Sequence, residues 1–303
     1  MKRKNWEKSI LLLITAVIWG AAFVAQSVGM EHIGPFTFTC VRNILGGLVL
    51  IPCISILNKW KGRQEAQTGE KQPQDRRSLL VGGICCGIVL CMASNLQQVG
   101  ILHTTVGKAG FITALYIVMV PVMGLFFKRK CGIQVWLGVF IALAGFYLLS
   151  TKGGLRPERA DIYLLGSAFL FSVHILIIDH FSPKVDGVKL SCIQFFVCGI
   201  LSGIIMLFTE TPDMADILAA WKPIAYAGVL SSGVAYTLQI IGQKDFNPTV
   251  ASLILSLESV FSALAGWLIL HQALSGRELL GCGLIFAAIL LAQIPLKDQK
   301  MPQ

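Results

Sequence analysis

Charged residues are scarce in this sequence. They make up 14% of its 303 residues, and only 16 of them are acidic, whereas soluble domains carry about 25% charged residues. A soluble protein of this size needs more polar groups to cover its surface, so the composition excludes an ordinary soluble fold. No segment between the apolar runs is long enough for a separate soluble domain.

Catalytic and metal-binding motifs are also lacking. There is no P-loop, no Gly-x-Ser-x-Gly elbow and no His-Glu-x-x-His helix, and each of these would indicate a particular chemistry. The nine cysteines show no metal-ligand spacing with histidine, and all but Cys131 lie inside apolar runs. Buried packing therefore explains them better than redox or metal chemistry. The sequence predicts no enzyme, no cofactor and no metal site.

Apolar residues dominate instead, at 55% of the chain. They come in runs of about 18–25 residues, the length that a helix needs to cross ~30 Å of hydrocarbon. The first run exceeds a signal-peptide core, and more runs follow it. The sequence predicts an all-α integral membrane protein with ten transmembrane helices. The predicted spans cover residues 9–30, 35–56, 79–99, 104–127, 133–149, 161–178, 190–208, 223–241, 248–270 and 278–294.

The positive charges orient these spans. If both termini lie on the same side of the membrane, 18 of the 25 Lys and Arg residues fall on that side and 5 on the opposite side. The other two, Arg42 and Lys108, lie inside spans. Cytoplasmic loops carry the excess of Lys and Arg, so both termini are expected in the cytoplasm, with the protein in the inner (plasma) membrane. Lys152, Arg156 and Arg159 oppose this trend. The net charge of +9 is thereby explained without nucleic acid.

An internal repeat divides the chain. At an offset of 142 residues, Leu96 and Gln97 meet Leu238 and Gln239, and Gly124 meets Gly266. The offset pairs the third to fifth spans with the eighth to tenth, so residues 1–150 and 151–303 are predicted to be two five-helix repeats. An odd number of spans inverts the second repeat relative to the first. Inverted repeats are typical of secondary transporters, which bind their solute near the midplane between the halves.

Polar groups inside the spans are costly in lipid, so they should face a cavity or one another. One set is expected toward the outer side, where it could line a vestibule: Gln26, Arg42, Asn95, Gln97, Gln98 and Lys108. Another set is expected near the midplane: Trp19, Tyr116, Tyr236 and Glu258. The predicted substrate-binding residues are Trp19, Arg42, Asn95, Gln97, Lys108, Tyr116, Tyr236 and Glu258.

Each candidate also has a structural interpretation. Glu258 could carry a proton or bind a cationic solute, or it could bond to a neighbouring helix. Lys108 could attract an anion or extend to the outer surface, and Arg42 could bind solute or backbone carbonyls at a helix end. The aromatic rings could stack on a solute or merely pack, and the Asn and Gln side chains could bind solute or bridge helices.

Several segments resemble one transporter family. The signatures of this family occur in order in four segments: residues 18–24 (IWGAAFV), 41–43 (VRN), 105–121 and 252–267. The last segment contains LESVF and LAGW, with Ser259 in place of a usual proline. The chain thus resembles the EamA-type ten-helix members of the drug/metabolite transporter superfamily. This resemblance implies two inverted units around a central cavity. It also implies export, or less often uptake, of an amino acid, a metabolite or an amphiphilic drug-like compound. An acid that the family often has after the ninth span is replaced here by His271 and Gln272.

The prediction is therefore a secondary-active transporter that exports a small organic solute by alternating access. Its expected partners are that solute and membrane lipids, and the sequence leaves open proton coupling and a homodimer. The rivals are a membrane-embedded enzyme or sensor and a passive channel on the same scaffold. An enzyme should show clustered ligands or acids at a membrane face, a sensor should carry a signalling domain, and a channel should show flux that does not saturate.

Overall fold

The computed structural model describes residues 2–68, 75–126, 132–150, 159–271 and 275–293. Every regular element within these ranges is helical. The helices are α1 Lys2–Gly29, α2 Pro35–Thr68, α3 Arg76–Leu102, α4 Val106–Thr113, α5 Tyr116–Phe126, α6 Ile133–Ser150, α7 Arg159–Phe181, α8 Gly187–Thr209, α9 Met214–Ala219, α10 Trp221–Ala225, α11 Thr237–Gln243, α12 Pro248–Leu255, α13 Glu258–Leu270 and α14 Gly276–Gln293. A π-helical segment, Tyr226–Tyr236, joins α10 to α11.

Eight of the predicted spans coincide with helices that are long and apolar enough to cross a membrane. The predicted fifth and tenth spans fall on α6 and α14, whose apolar stretches are shorter, Trp136–Gly145 and Leu279–Ala288. The prediction of an all-helical, multi-pass membrane protein is confirmed. Helices suit this environment because they satisfy their backbone hydrogen bonds internally, where lipid offers no partners.

The helices pack in pairs across the molecule. Helix α2 lies against α8, α3 against α7, and α6 against α14, while α1 packs on the π-helical segment and on α13. Small residues allow the closest approaches. A β-carbon at Gly20 would overlap Phe261, and one at Gly46 would lie 2.7 Å from Ser232 Cβ. These glycines let α1 touch α13 and let α2 touch the π-helical segment.

Two predicted spans are interrupted rather than continuous. Helix α4 ends at Thr113 and α5 begins at Tyr116. Helix α12 ends at Leu255 and α13 begins at Glu258. The starts of α5 and α13 are separated by the same 142 residues as the internal repeat.

Contacts between chain segments define two ends of the bundle. At one end Lys8 donates to the backbone carbonyl of Lys244, and we call this the Lys8 end. At the other, the Glu210 end, the Glu210 carboxylate accepts from the backbone N–H of Phe36 at 2.9 Å and of Thr37 at 2.8 Å. Its carboxylate thereby satisfies backbone donors in the first turn of α2, which have no partner within the helix.

Candidate functional site

A narrow cavity lies where α1, both interrupted spans and the π-helical segment meet. Its volume is about 30 Å³, room for no more than a few ordered waters. Its walls come from both halves of the chain, and they are formed by Trp19, Ala22, Phe23, Gln26, Arg42, Gln97, Thr113, Tyr116, Phe171, Ile175, Ser231, Tyr236, Gln239 and Glu258. The cavity therefore combines two charges of opposite sign, several amides and hydroxyls, and an apolar aromatic wall.

The two charged side chains that line the cavity are deeply buried. Arg42 is 3% exposed and Glu258 is 4% exposed. Arg42 Nε and Glu258 Oε1 have no hydrogen-bond partner among the described residues. The guanidinium carbon lies 5.9 Å from the centre of the Phe38 ring, within the range of a cation–π contact. A buried ion without a counter-charge is destabilising, so this arrangement needs a functional explanation.

Two tyrosines connect these charges. The Tyr116 hydroxyl lies beside the Glu258 carboxyl, and it has no hydrogen-bond partner of favourable geometry among the described residues. The Tyr236 hydroxyl is close enough to both Arg42 and Glu258 to interact electrostatically with each. The cavity thus offers a cationic side, an anionic side and phenol groups near both.

The Tyr236 ring, which lines the cavity, also packs in an aromatic layer. It packs at 4.6 Å from the Trp19 ring, at 5.7 Å from the Phe195 ring and at 5.9 Å from the His174 ring, all measured between centroids. Such tilted and edge contacts suit aromatic rings. Trp19 is therefore held in an aromatic layer with Tyr236 and is at the same time part of the cavity wall.

The backbone beside the cavity is a π-helix, a rare conformation that is frequent at functional sites. Its carbonyls are partly satisfied by side chains of α1. The Trp19 indole donates to the Ser231 carbonyl at 3.3 Å, and the Thr15 hydroxyl donates to the Ala235 carbonyl at 3.2 Å. These bonds tie α1 to the π-helical segment along the cavity wall.

Six of the eight predicted site residues meet in this cavity: Trp19, Arg42, Gln97, Tyr116, Tyr236 and Glu258. The outer and midplane sets, predicted separately, thus contribute to one cavity. Asn95 lies elsewhere and joins two helices, because its amide donates to Ser202 Oγ at 2.8 Å. Its position agrees with the helix-bridging alternative.

Lys108 also lies outside the cavity. Its ammonium lies 2.9 Å from Asp161 Oδ1, and the two side chains are 25% and 15% exposed. This ion pair joins the start of α4 to the start of α7. The structure therefore gives Lys108 a carboxylate partner that the sequence interpretation did not include.

Several lining residues were not among the predicted substrate-binding residues, and Gln239 is the clearest of them. At the repeat offset Gln239 corresponds to Gln97, and both line the cavity. Tyr116 corresponds in the same way to Glu258, at the first residue of α5 and of α13. The repeat thus contained a signal for Gln239, because a cavity between repeated halves is lined by equivalent positions. Apolar members such as Phe171 and Ile175 had no such signal.

The described ranges contain no candidate metal site. They contain no group of three or more His, Cys, Asp or Glu side chains placed to hold an ion. The cavity instead offers hydrogen bonds and two charges, which suit the binding of an organic solute.

Comparison with known proteins gives consistent matches along nearly the whole chain. Residues 7–151 and 158–293 each match the EamA-like transporter family. An "Uncharacterized transporter" of Archaeoglobus fulgidus is 29% identical over 93% of this chain and 84% of its own length. The "Uncharacterized inner membrane transporter YedA" of Escherichia coli K12 is 24% identical over 92% and 88%. A solved crystal structure has the same fold, with a TM-score of 0.73 at 18% identity, covering 94% of this chain and 96% of the solved one.

Proposed function

Because this chain belongs to the EamA-like transporter family, we propose that it carries a small zwitterionic organic solute across the membrane by alternating access. The cavity that brings together Arg42 and Glu258 carries this proposal, because Arg42 Nε and Glu258 Oε1 have no hydrogen-bond partner in the described part of the chain. The Arg42 guanidinium can bind a carboxylate through two parallel hydrogen bonds. The Glu258 carboxylate can accept hydrogen bonds from an ammonium group. One zwitterion would neutralise both protein charges at once.

The remaining wall suits the rest of such a solute. Phe23, Phe171 and Ile175 supply an apolar surface, and Gln26, Gln97 and Gln239 supply amides. Ligand sites commonly combine a mostly apolar wall with a few polar groups that fix orientation. An amino-acid-like compound with an apolar side chain fits this set of groups.

Alternating access is supported by the symmetry of the chain. The family matches it twice, once in each half, and both interrupted spans place a cavity-lining residue at the break. Interrupted helices at corresponding positions of two halves are typical of secondary transporters. A cavity of about 30 Å³ is too small for an organic solute, so the helices must part for loading and for release.

From the excess of Lys and Arg on one side we infer that the Lys8 end and both termini face the cytoplasm. We take export as the working direction. Glu258 is the group in the cavity that could exchange a proton during the cycle. In this mechanism the empty carrier returns with Glu258 protonated, because a neutral carboxyl is less costly to bury.

Counterflow in proteoliposomes tests the proposal. Vesicles preloaded with phenylalanine should take up labelled phenylalanine with saturable kinetics, while phenylalanine methyl ester (a cation) and N-acetylphenylalanine (an anion) should compete poorly. The matched variants Arg42→Leu and Glu258→Gln should each strongly reduce zwitterion counterflow. Flux that rises linearly with concentration would support a channel, and equal competition by all three compounds would contradict zwitterion recognition. Mass spectrometry of the vesicle contents would detect chemical conversion of phenylalanine, which would indicate an enzyme.

A further inference from the structure

A second group of buried polar side chains lies between the cavity and the Lys8 end. We call it the inner polar cluster, and it consists of His174, Ser191, Gln194, Gln239 and Gln243. All five are at most 1% exposed. They come from three different helices, namely α7, α8 and α11, and α11 packs against both of the others.

Most polar atoms of this cluster have no partner among the described residues. His174 Nε2 lies 3.0 Å from Gln194 Oε1. His174 Nδ1, Gln194 Nε2, Ser191 Oγ, Gln239 Oε1 and both amide atoms of Gln243 have no hydrogen-bond partner within the described ranges. Buried polar atoms in native proteins nearly always have a protein or water partner, and leaving them unsatisfied is destabilising. A cluster that served only to hold helices together would use these atoms in direct bonds.

The cluster continues from the cavity to the end of the bundle. Gln239 lines the cavity, and Gln243 lies one turn further on the same face of α11, next to Lys244. Lys244 in turn accepts a hydrogen bond from Lys8. The His174 ring packs nearly perpendicular to the Tyr236 ring, at 5.9 Å between centroids, which places the imidazole against the aromatic layer that borders the cavity.

The neighbouring face of the same helix is apolar. Ile240 is fully buried with Ile178 and Leu190, and a β-carbon at Gly187 would lie 3.0 Å from Ile240 Cγ2. This contact sets α11 against the start of α8, the helix that carries Ser191 and Gln194. The polar side chains therefore follow one face of α11 and the tight packing follows another.

We propose that the inner polar cluster is the cytoplasmic half of the solute path, a hydrated site that binds the solute more weakly than the cavity does. It offers amide, hydroxyl and imidazole groups without a carboxylate or guanidinium among its members, so it would bind the polar groups of a solute by hydrogen bonds alone. The cluster reaches the cavity at Gln239, and movement of the aromatic layer at Tyr236 would widen this connection enough for a solute. Weak, neutral binding suits this position, because a solute must pass through it without being held. This inference rests on the proposed transport function.

Cysteine accessibility along α11 tests the inference without knowledge of the solute. The variants Gln239→Cys, Ile240→Cys and Gln243→Cys are treated in membrane vesicles with a charged, membrane-impermeant methanethiosulfonate reagent. Peptide mass spectrometry then reports each site separately from the native cysteines. A Lys8→Cys variant identifies which vesicles present the Lys8 end to the reagent. Ile240→Cys is the matched control, because it is equally buried and lies at an intermediate depth.

Gln239→Cys and Gln243→Cys should react at least tenfold faster than Ile240→Cys, and only from the Lys8 side. Three outcomes would overturn the inference: labelling rates that fall steadily with depth, equal rates at all three sites, or no labelling at any of them. In each case the labelling rate would not depend on which face of α11 carries the cysteine. If the labelling pattern is as expected but no tested zwitterion shows saturable transport, the hydrated path is supported and the proposed function is refuted. If transport is saturable but the labelling pattern is absent, the inferred solute path is refuted and the proposed function is not.

Discussion

The two cations that the sequence places inside spans have different environments in the structure. Arg42 is 3% exposed and lines the cavity, and its Nε has no hydrogen-bond partner among the residues that the structure describes. Lys108 is 25% exposed and pairs with Asp161 at 2.9 Å. Arg42 lies about 10 Å inside its helix, whereas Lys108 lies within the first turn of its own. The depth of a cation in its helix and its partners across the bundle therefore distinguish Arg42, a candidate ligand for solute, from Lys108, a member of an ion pair.

Replacing Arg42 gives the largest expected effect. Arg42→Leu should reduce zwitterion counterflow more than a hundredfold, because a charge-assisted bond to a carboxylate is lost in a buried site. Its melting temperature in detergent should stay the same or rise, because a buried charge without a counter-ion destabilises the native state. Lys108→Ala is the matched control and should change counterflow less than threefold. A large loss of melting temperature in Arg42→Leu would instead show that Arg42 is structural.

The opposite charge tests whether the cavity recognises both ends of the solute. Glu258→Gln keeps the shape and removes the charge, so zwitterion counterflow should fall about 30-fold or more, in the range of a lost charge-assisted bond. Inhibition by N-acetylphenylalanine should become stronger relative to that by phenylalanine, because the anionic compound no longer meets the Glu258 carboxylate. Unchanged transport with an unchanged pH profile would remove Glu258 both as an ammonium ligand and as a proton carrier.

Much of this arrangement could be predicted from sequence. The apolar runs predicted the long helices, and six of the eight polar and aromatic residues selected within them line the cavity. The interruption before Glu258 could not be predicted, since residues 248–270 form one apolar run. In the structure Ser256 and Ser259 donate to the carbonyls of Leu253 and Ser256 at 2.7 and 2.8 Å. Such local bonds compete with the regular helical pattern, and their choice depends on tertiary packing.

The pairing of Lys108 with Asp161 could not be predicted from the sequence either, because it also depends on tertiary packing. Each lies in the first turn of a different helix, and only the packing of α4 against α7 brings them together. Depth could be counted along each helix, but the identity of the neighbour across the bundle could not. This is why the sequence interpretation gave Arg42 and Lys108 similar roles and the structure separates them.

The tyrosine at the other break should give a smaller effect than either charge. Tyr116→Phe removes the hydroxyl that lies beside Glu258 and keeps the ring in place. A single neutral hydrogen bond contributes about 1 kcal/mol, so the KM for the zwitterion should rise roughly fivefold while the maximal rate changes little. Phe111→Leu, a change in a partly buried side chain of the preceding helix outside the cavity wall, is the control. A change in melting temperature with no change in KM would assign Tyr116 to packing.

The smallest effect is expected at the ion pair of Lys108 and Asp161. Because both side chains are partly exposed, their mutual attraction should contribute only about 0.5–1 kcal/mol, or roughly 1–3 °C in melting temperature. Lys108→Asp should lower the melting temperature by placing two carboxylates together, and the double variant Lys108→Asp, Asp161→Lys should recover most of the loss. Counterflow should stay within threefold of the unmodified protein in the double variant. If the exchanged pair restored stability and counterflow remained lost, the Lys108 ammonium would act on the solute, and the distinction drawn between the two cations would fail.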